Sequence, residues 1–295
     1  MLCVLPGGLV DDAGTVHDEV ELRGLSGREE ELLATSAHAG SATLVTAVLS
    51  RCVQRIGGIR EVDATITRRL LVADRQLILL RLREATYGGQ VKGSVPCPWP
   101  DCGRRVGVSF STADVPITAS SDKGPVYTLV LSPEAMPGVE EAERTVAFRL
   151  PTGADQELLS PLLDENEATA LAGLLAHCLL RVGPDESVDE ACVSRLSPLA
   201  RLEIERRMET VAPHVDLLME AVCAECGRNF SAPFDLQRFF FGELRVTADL
   251  LYREVHYLAY HYHWSEREIM EMPRDQRGRY IAVLADEIER LNESV

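Results

Sequence analysis

Two cysteine knuckles carry the clearest chemistry in this chain, Cys97-Pro-Trp-Pro-Asp-Cys102-Gly and Cys223-Ala-Glu-Cys226-Gly. Each ends on a glycine that can take the positive φ of a tight turn, and each is followed by alternating residues that read as a strand. The pattern predicts two strand–turn–strand units, each presenting two thiols. Four thiolates meeting at one point suit Zn²⁺, which binds tetrahedrally at about 2.3 Å and, with four protein ligands, keeps no open position for substrate. Cys97, Cys102, Cys223 and Cys226 are therefore read as one shared structural zinc site. Two alternatives stand beside it. Cys223 and Cys226 could form a redox pair, although redox CxxC motifs work at a helix N-terminus and this one follows a strand. Cys97 and Cys102 could form a disulfide, which a reducing compartment disfavours.

The spacing supports the pairing of the knuckles, since 223 − 97 = 126 and the same offset recurs before them. VELRGLSGREEELL (Val20 to Leu33) lies over VAFRLPTGADQELL (Val146 to Leu159). ATLVTAVLSRCVQRIG (Ala42 to Gly57) lies over ATALAGLLAHCLLRVG (Ala168 to Gly183), with Cys52 on Cys178 and Arg55 on Arg181. Past the knuckles the offset drops by two, because the second is two residues shorter, and Phe110 lies over Phe234. An internal duplication follows, with the metal expected near a pseudo-twofold axis between the copies.

The elements that must position the knuckles are legible to different degrees. Residues 1–15 are turn-rich and read as an arm. A strand at Val20 to Leu25 leads into a helix capped by Ser26, with Glu29 completing a capping box, and Thr152 with Asp155 repeats the device. Leu44, Val48, Cys52 and Ile56 form one helical stripe, matched by Leu174, Cys178 and Val182; the two cysteines read as core. Helices at Ala73 to Tyr87 and Leu199 to Thr210 lead to the knuckles. A strand is expected at Val126 to Leu131. After Asp235 the chain turns helical, with a seam at Leu244, Ala248, Leu251, Val255, Leu258 and Tyr262 for packing on another helix, within the chain by preference or on a partner. Ser265 and Glu268 form another capping box, Pro273 fits the first turn of a last helix, and Ile281, Leu284, Ile288 and Leu291 are expected to face inward.

The fold class is thus α+β: duplicated strand/helix units with two zinc-ribbon-like knuckles sharing one site, plus a C-terminal helical extension. The units are an N-terminal repeat with the first knuckle (1–115), a connecting segment (116–141), a second repeat with the second knuckle (142–240) and a C-terminal helical region (241–295).

At 295 residues the chain can bury a sizeable core without metal or disulfides, so the zinc reads as a local clamp. No long apolar run and no leader pattern occur, and the expectation is a soluble cytoplasmic protein with reduced cysteines. A net charge of −16 counts against nucleic acid or an anionic membrane as the main partner. Arg104-Arg105 beside the first knuckle reads as a solvated pair. His256, His261 and His263 do not chelate together on a helix, because His261 and His263 point about 200° apart. No phosphate loop, nucleophile elbow or HExxH is present, so no enzymatic activity is expected.

The segments CPWPDCGRRVGVSF, FRLPTGADQELL, CAECGRNFSAPFDLQRFFFGEL and REVHYLAYHYHWSEREIMEMPRDQRGRY resemble the T4-type baseplate hub assembly chaperone-like proteins of contractile phage tails and phage-tail-like contractile injection systems. The most specific parts are the knuckles and EVHxLAxxYxWSExEI. The resemblance covers nearly the whole chain and implies a non-enzymatic assembly factor or structural part of the baseplate, with baseplate or hub proteins as partners. The competing classes are a zinc-ribbon nucleic-acid-binding protein, disfavoured by charge, and a thiol redox protein using Cys223 and Cys226, disfavoured by the strand context.

Overall fold

The computed structural model describes residues 1–36, 40–246 and 248–293, without the side chains of 163–165, 167–168, 243–246 and 248. The first half runs β1 (Leu2–Val10), β2 (Val16–Leu22), α1 (Gly27–Thr35), α2 (Ser41–Cys52), β3 (Val53–Ile56), α3 (Ala64–Arg69), α4 (Val72–Tyr87), β4 (Gln90–Pro96) and β5 (Arg105–Ser111). Strands β1, β2 and β3 form an antiparallel sheet in that order, and β4 and β5 form the hairpin that ends in the first knuckle. A short strand, β6 (Ile117–Thr118), follows. The second half runs β7 (Tyr127–Val130), β8 (Thr145–Phe148), α5 (Gly153–Glu165), α6 (Glu167–Cys178), β9 (Leu179–Val182), α7 (Glu190–Arg195), α8 (Pro198–Val211), β10 (His214–Val215), β11 (Leu218–Val222) and β12 (Asn229–Pro233). Here β7, β8 and β9 form the sheet, and β11 with β12 forms the hairpin of the second knuckle. Helices α9 (Leu236–Val246), α10 (Ala248–Tyr262), α11 (Glu266–Glu271) and α12 (Arg274–Glu293) complete the chain.

Both capping boxes form, and each carries an arginine that the spacing alone did not single out. Arg23 binds Glu29 at 2.9 Å and Arg149 binds Asp155 at 2.7 Å, each reaching from the strand to the helix N-terminus. Burial alone would raise both carboxyls, but the guanidinium and the cap residue hold them below the usual carboxylate range.

The N-terminal stretch is a strand rather than an arm. Pro6-Gly7-Gly8 breaks the alternation and shifts the β1–β2 register between Val4 and Leu9, which hides the strand, yet Leu5 and Leu9 are buried. Gly7 lies so close to Leu71 and Asp74 that a Cβ would collide with them, and its N–H donates to Asp74 Oδ1 at 2.8 Å. Asp74 Oδ2 is buried with no hydrogen-bond partner, and burial pushes this carboxyl up to about 6. A folded-state value above the unfolded one means the ionised group destabilises the native state as pH rises through about 6. Asp74→Asn is therefore expected to be about 1–3 kcal/mol more stable than the native chain at pH 7.5, with the gap closing below about pH 4. Urea unfolding at the two pH values checks this; an equal gap at both would show that ionisation is not the cause.

The stripe read through Ile56 also changes character. Helix α2 ends at Cys52, and Ile56 lies on β3, because β-branched Val53 and Ile56 pair with β2 before Gly57 turns the chain at φ 53°. Val182 likewise lies on β9, with Gly183 at φ 57°. Cys52 and Cys178 are fully buried core thiols, pushed up to about 12 by burial. Tyr127–Val130, inside the segment 116–141, is the first strand of the second sheet, and β6 pairs with β10.

In the C-terminal region Leu251 and Leu258 are buried and α10 packs on α1, α11 and α12. The side chains of Leu244 and Ala248 lie outside the described residues. His263, at φ 56°, ends α10, and Trp264 stacks on Tyr262 at 4.6 Å and meets Tyr280 edge-on at 4.8 Å. The stripe on α12 does not face inward as expected. Ile281, Leu284 and Ile288 are half-buried and Leu291 is 54% exposed, whereas the buried residue of α12 is Arg277, in its first turns.

Candidate metal centre

The hairpins β4–β5 and β11–β12 are long enough to pair through five or more residues each, and they place the knuckles at their tips. Val95, Val106 and Phe230 pack around Cys97 and Cys223, making a small apolar cluster separate from the two larger cores. All four sulphurs lie within 4.8 Å of one another. Cys97 Sγ is 3.8 Å from Cys226 Sγ, and Cys102 Sγ is 3.7 Å from Cys223 Sγ. A tetrahedron of thiolates about 2.3 Å from a metal has edges of about 3.8 Å, so these separations fit a four-cysteine metal site; a disulfide would need about 2.05 Å. These two contacts are crossed, the first cysteine of one knuckle meeting the second of the other.

The knuckle backbones are arranged to hold thiolates. N–H groups of Cys226 and Glu225 aim at Cys223 and bring its thiol down to about 7, while burial pushes Cys97 up to about 12. Gly103 and Gly227 take φ of 58° and 71°, the turn conformation that leaves these N–H groups free to point inward. Across the site, Arg228 makes a bidentate contact with Asp101 at 2.8 and 2.9 Å and covers the Trp99 ring. This pair is exposed and screened by water, so it aligns the knuckles more than it stabilises them. The second knuckle lies between strands, with no helix N-terminus to activate a redox thiol.

Other candidate chemistry resolves into structure. Arg105 donates to Ser94 across its own hairpin. His256 and His261 lie against the rings of Tyr260 and Tyr257, and no second cluster of potential metal ligands occurs among the described residues. A cleft lined by Gly7, Arg68, Arg69, Lys123 and Arg149 looks basic, but the four cations are paired with Glu157, Asp12, Asp18 and Asp155. No described helix is long and apolar enough to cross a membrane.

Two short helices, α3 and α7, escape sequence reading, because six residues are too few to show a helical period. Their signal is the cap: Asp63 and Asp189 each accept a backbone N–H three residues on.

Neither the curated proteins nor the solved structures hold a match to this chain. Residues 244–295 match a family of unknown function, DUF6760. Residues 11–241, which contain the second sheet, β2 and β3 of the first, both hairpins and all four converging cysteines, match the family described as T4 bacteriophage base plate protein. The chain belongs to that T4-type base plate family.

Proposed function

We propose that this protein is a non-enzymatic assembly factor or structural component of the baseplate of a contractile phage-tail-like injection system. In this reading its two halves are copies of one unit, their hairpins clamped by a structural Zn²⁺ on Cys97, Cys102, Cys223 and Cys226. The observation that carries the reading is base plate family membership over a segment that contains the whole cysteine cluster. Zinc suits four thiolates because it has no redox chemistry and accepts a closed tetrahedral shell. Such a site supplies rigidity between two hairpins and leaves the remaining surface for docking to other baseplate or hub proteins.

The test is the metal content of the purified protein, combined with a pull-down from cells that express the neighbouring tail genes. One zinc per chain and a co-purifying baseplate or hub subunit are expected. A chain that folds without metal and captures none of those subunits would overturn the proposal. A salt-sensitive gel shift with DNA or RNA would instead favour a zinc-ribbon nucleic-acid binder, against the net charge of −16.

A further inference from the structure

One arrangement occurs three times among the described residues, and two of these are seated on a strand-to-helix junction. It consists of a capping residue, a six-residue helix, two extended residues, and a longer helix with an arginine twelve positions after the cap. The occurrences begin at Asp63, Asp189 and Ser265, and 75 − 63 = 201 − 189 = 277 − 265. They comprise α3–α4, α7–α8 and α11–α12.

The first and third of these helix pairs make the same contact with the same kind of target. In α3–α4, Leu71 bridges Thr152, the cap of α5; Val72 N–H donates to Pro151 O and Gly153 N–H to Leu70 O. In α11–α12, Pro273 bridges Ser26, the cap of α1, and Arg274 N–H donates to Leu25 O. The residue after each cap is a glycine because the helix pair presses on it: a Cβ on Gly153 would strike Arg75, and one on Gly27 would strike Met270. Arg75 and Arg277 are both buried at these contacts, and Arg277 donates to Glu30 at 2.8 Å. The C-terminal helices thus seat on α1 in the way that α3 and α4 seat on α5.

The second pair, α7–α8, has the same skeleton; Ser197 Oγ donates to Ala135 O at 2.8 Å and Ser132 N–H to Glu203, but no strand-to-helix junction is seated on it among the described residues. No strand bridges Ser197 among the described residues, and Arg201 turns back to donate to Ser194 O. The face that this pair shares with α6 exposes Leu171 (49%), Leu199 (39%) and Leu202 (39%). At the 126-residue offset these stand where Val45, Ala73 and Gln76 stand in the first half, and there Val45 is 1% exposed beside the packed α5. The open face therefore has the shape and polarity of one that takes a strand-to-helix junction beginning Ser/Thr-Gly.

We propose that this α6–α8 face binds the α1 junction of a second copy of the chain, and that α11–α12 closes the chain against such association by occupying α1 from within. A second copy carries the needed parts: Ser26, Gly27 without a Cβ, and Glu30 in reach of an arginine at the position of Arg201. The contact is head-to-tail, so it propagates from copy to copy rather than ending at a dimer. Pro198 stands where Val72 and Arg274 supply an N–H, and proline has none, so the intermolecular seat makes one backbone bond fewer than the internal one. The internal seat consequently wins while α11–α12 is in place.

Light scattering after size exclusion, over a wide concentration range, tests this on the full chain. The native chain is expected to be monomeric, and Arg277→Ala, which loosens α11–α12, to at least double its mean mass as concentration rises. Adding Leu202→Glu should return that variant to a monomer, whereas Leu218→Glu, at an exposed leucine on β11, should not. If Arg277→Ala fails to fold, Arg274→Ala, at the more exposed edge of the same contact, gives the same readout. Hydrogen exchange in α11–α12 reports whether the segment has been released. A released segment in a chain that stays monomeric, association that survives Leu202→Glu, or a native chain already associated would each overturn the proposal.

Discussion

Serine in place of Cys97 or Cys223 is expected to abolish metal binding and lower the melting temperature by roughly 10 °C, because the affinity of a structural metal site is folding free energy. Both residues are buried at the centre of the smallest of the three apolar clusters. That cluster has only Val95, Val106 and Phe230 fully packed besides the two cysteines, too little apolar area to hold two hairpins together unaided. Cys102→Ser and Cys226→Ser should also lose metal, since each supplies one of the four converging sulphurs. Cys52→Ser serves as the control: its thiol is far from the cluster, so metal content should stay at that of the native chain. Elemental analysis beside a thermal melt decides the matter. Full metal content in Cys97→Ser, or an unchanged melt in a metal-free variant, would remove the clamp from the account of stability.

The second large effect is expected at Glu30. Its carboxylate lies almost fully buried between Arg277 at 2.8 Å and Arg274 at 2.6 Å, and it joins the C-terminal helices to α1. Glu30→Ala leaves the buried Arg277 guanidinium with Glu254 alone, at 2.7 Å. Removing one partner of a buried pair costs about 3–5 kcal/mol, because the remaining charge has lost its compensation in a place water does not reach. About 3 kcal/mol is expected here, since Glu254 persists. The loss should appear first as faster hydrogen exchange across α11 and α12, with the sheets unaffected. A change below about 1 kcal/mol would mean that the segment is held by its apolar contacts instead.

The sequence made the cysteine site legible because its signal is discrete: thiols, glycines and a constant offset survive reading without a third dimension. Capping boxes at Ser26, Thr152 and Ser265 were legible for the same reason, as side-chain chemistry at fixed spacing. What stayed hidden was structure that depends on distant partners. β1 is a strand because β2 and Asp74 supply the pairing, against the local turn preference of Pro6-Gly7-Gly8. The α12 stripe has a heptad pattern whose residues are only half-buried or exposed, and no periodicity can reveal how deeply a helix face is covered. The threefold helix pair was invisible for another reason. Its shared residues are a cap, one apolar position and one arginine, too few to stand out until the backbone shows that the intervals between them are the same.

The position of the cysteines also sets an order of events during synthesis. Cys102 and Cys223 are 121 residues apart, so at about 5–20 residues per second the first hairpin leaves the ribosome roughly 6–24 s before the second. For that interval Cys97 and Cys102 are a lone dithiol, half of the four-cysteine cluster. They are then open to oxidants and to stray thiophilic ions, and the bond most readily formed is between the two of them. Every chain must pass through this stage before its four cysteines can converge. A nascent chain stalled between residues 130 and 220 should therefore be the form most sensitive to thiol-modifying reagents, and the completed one the least.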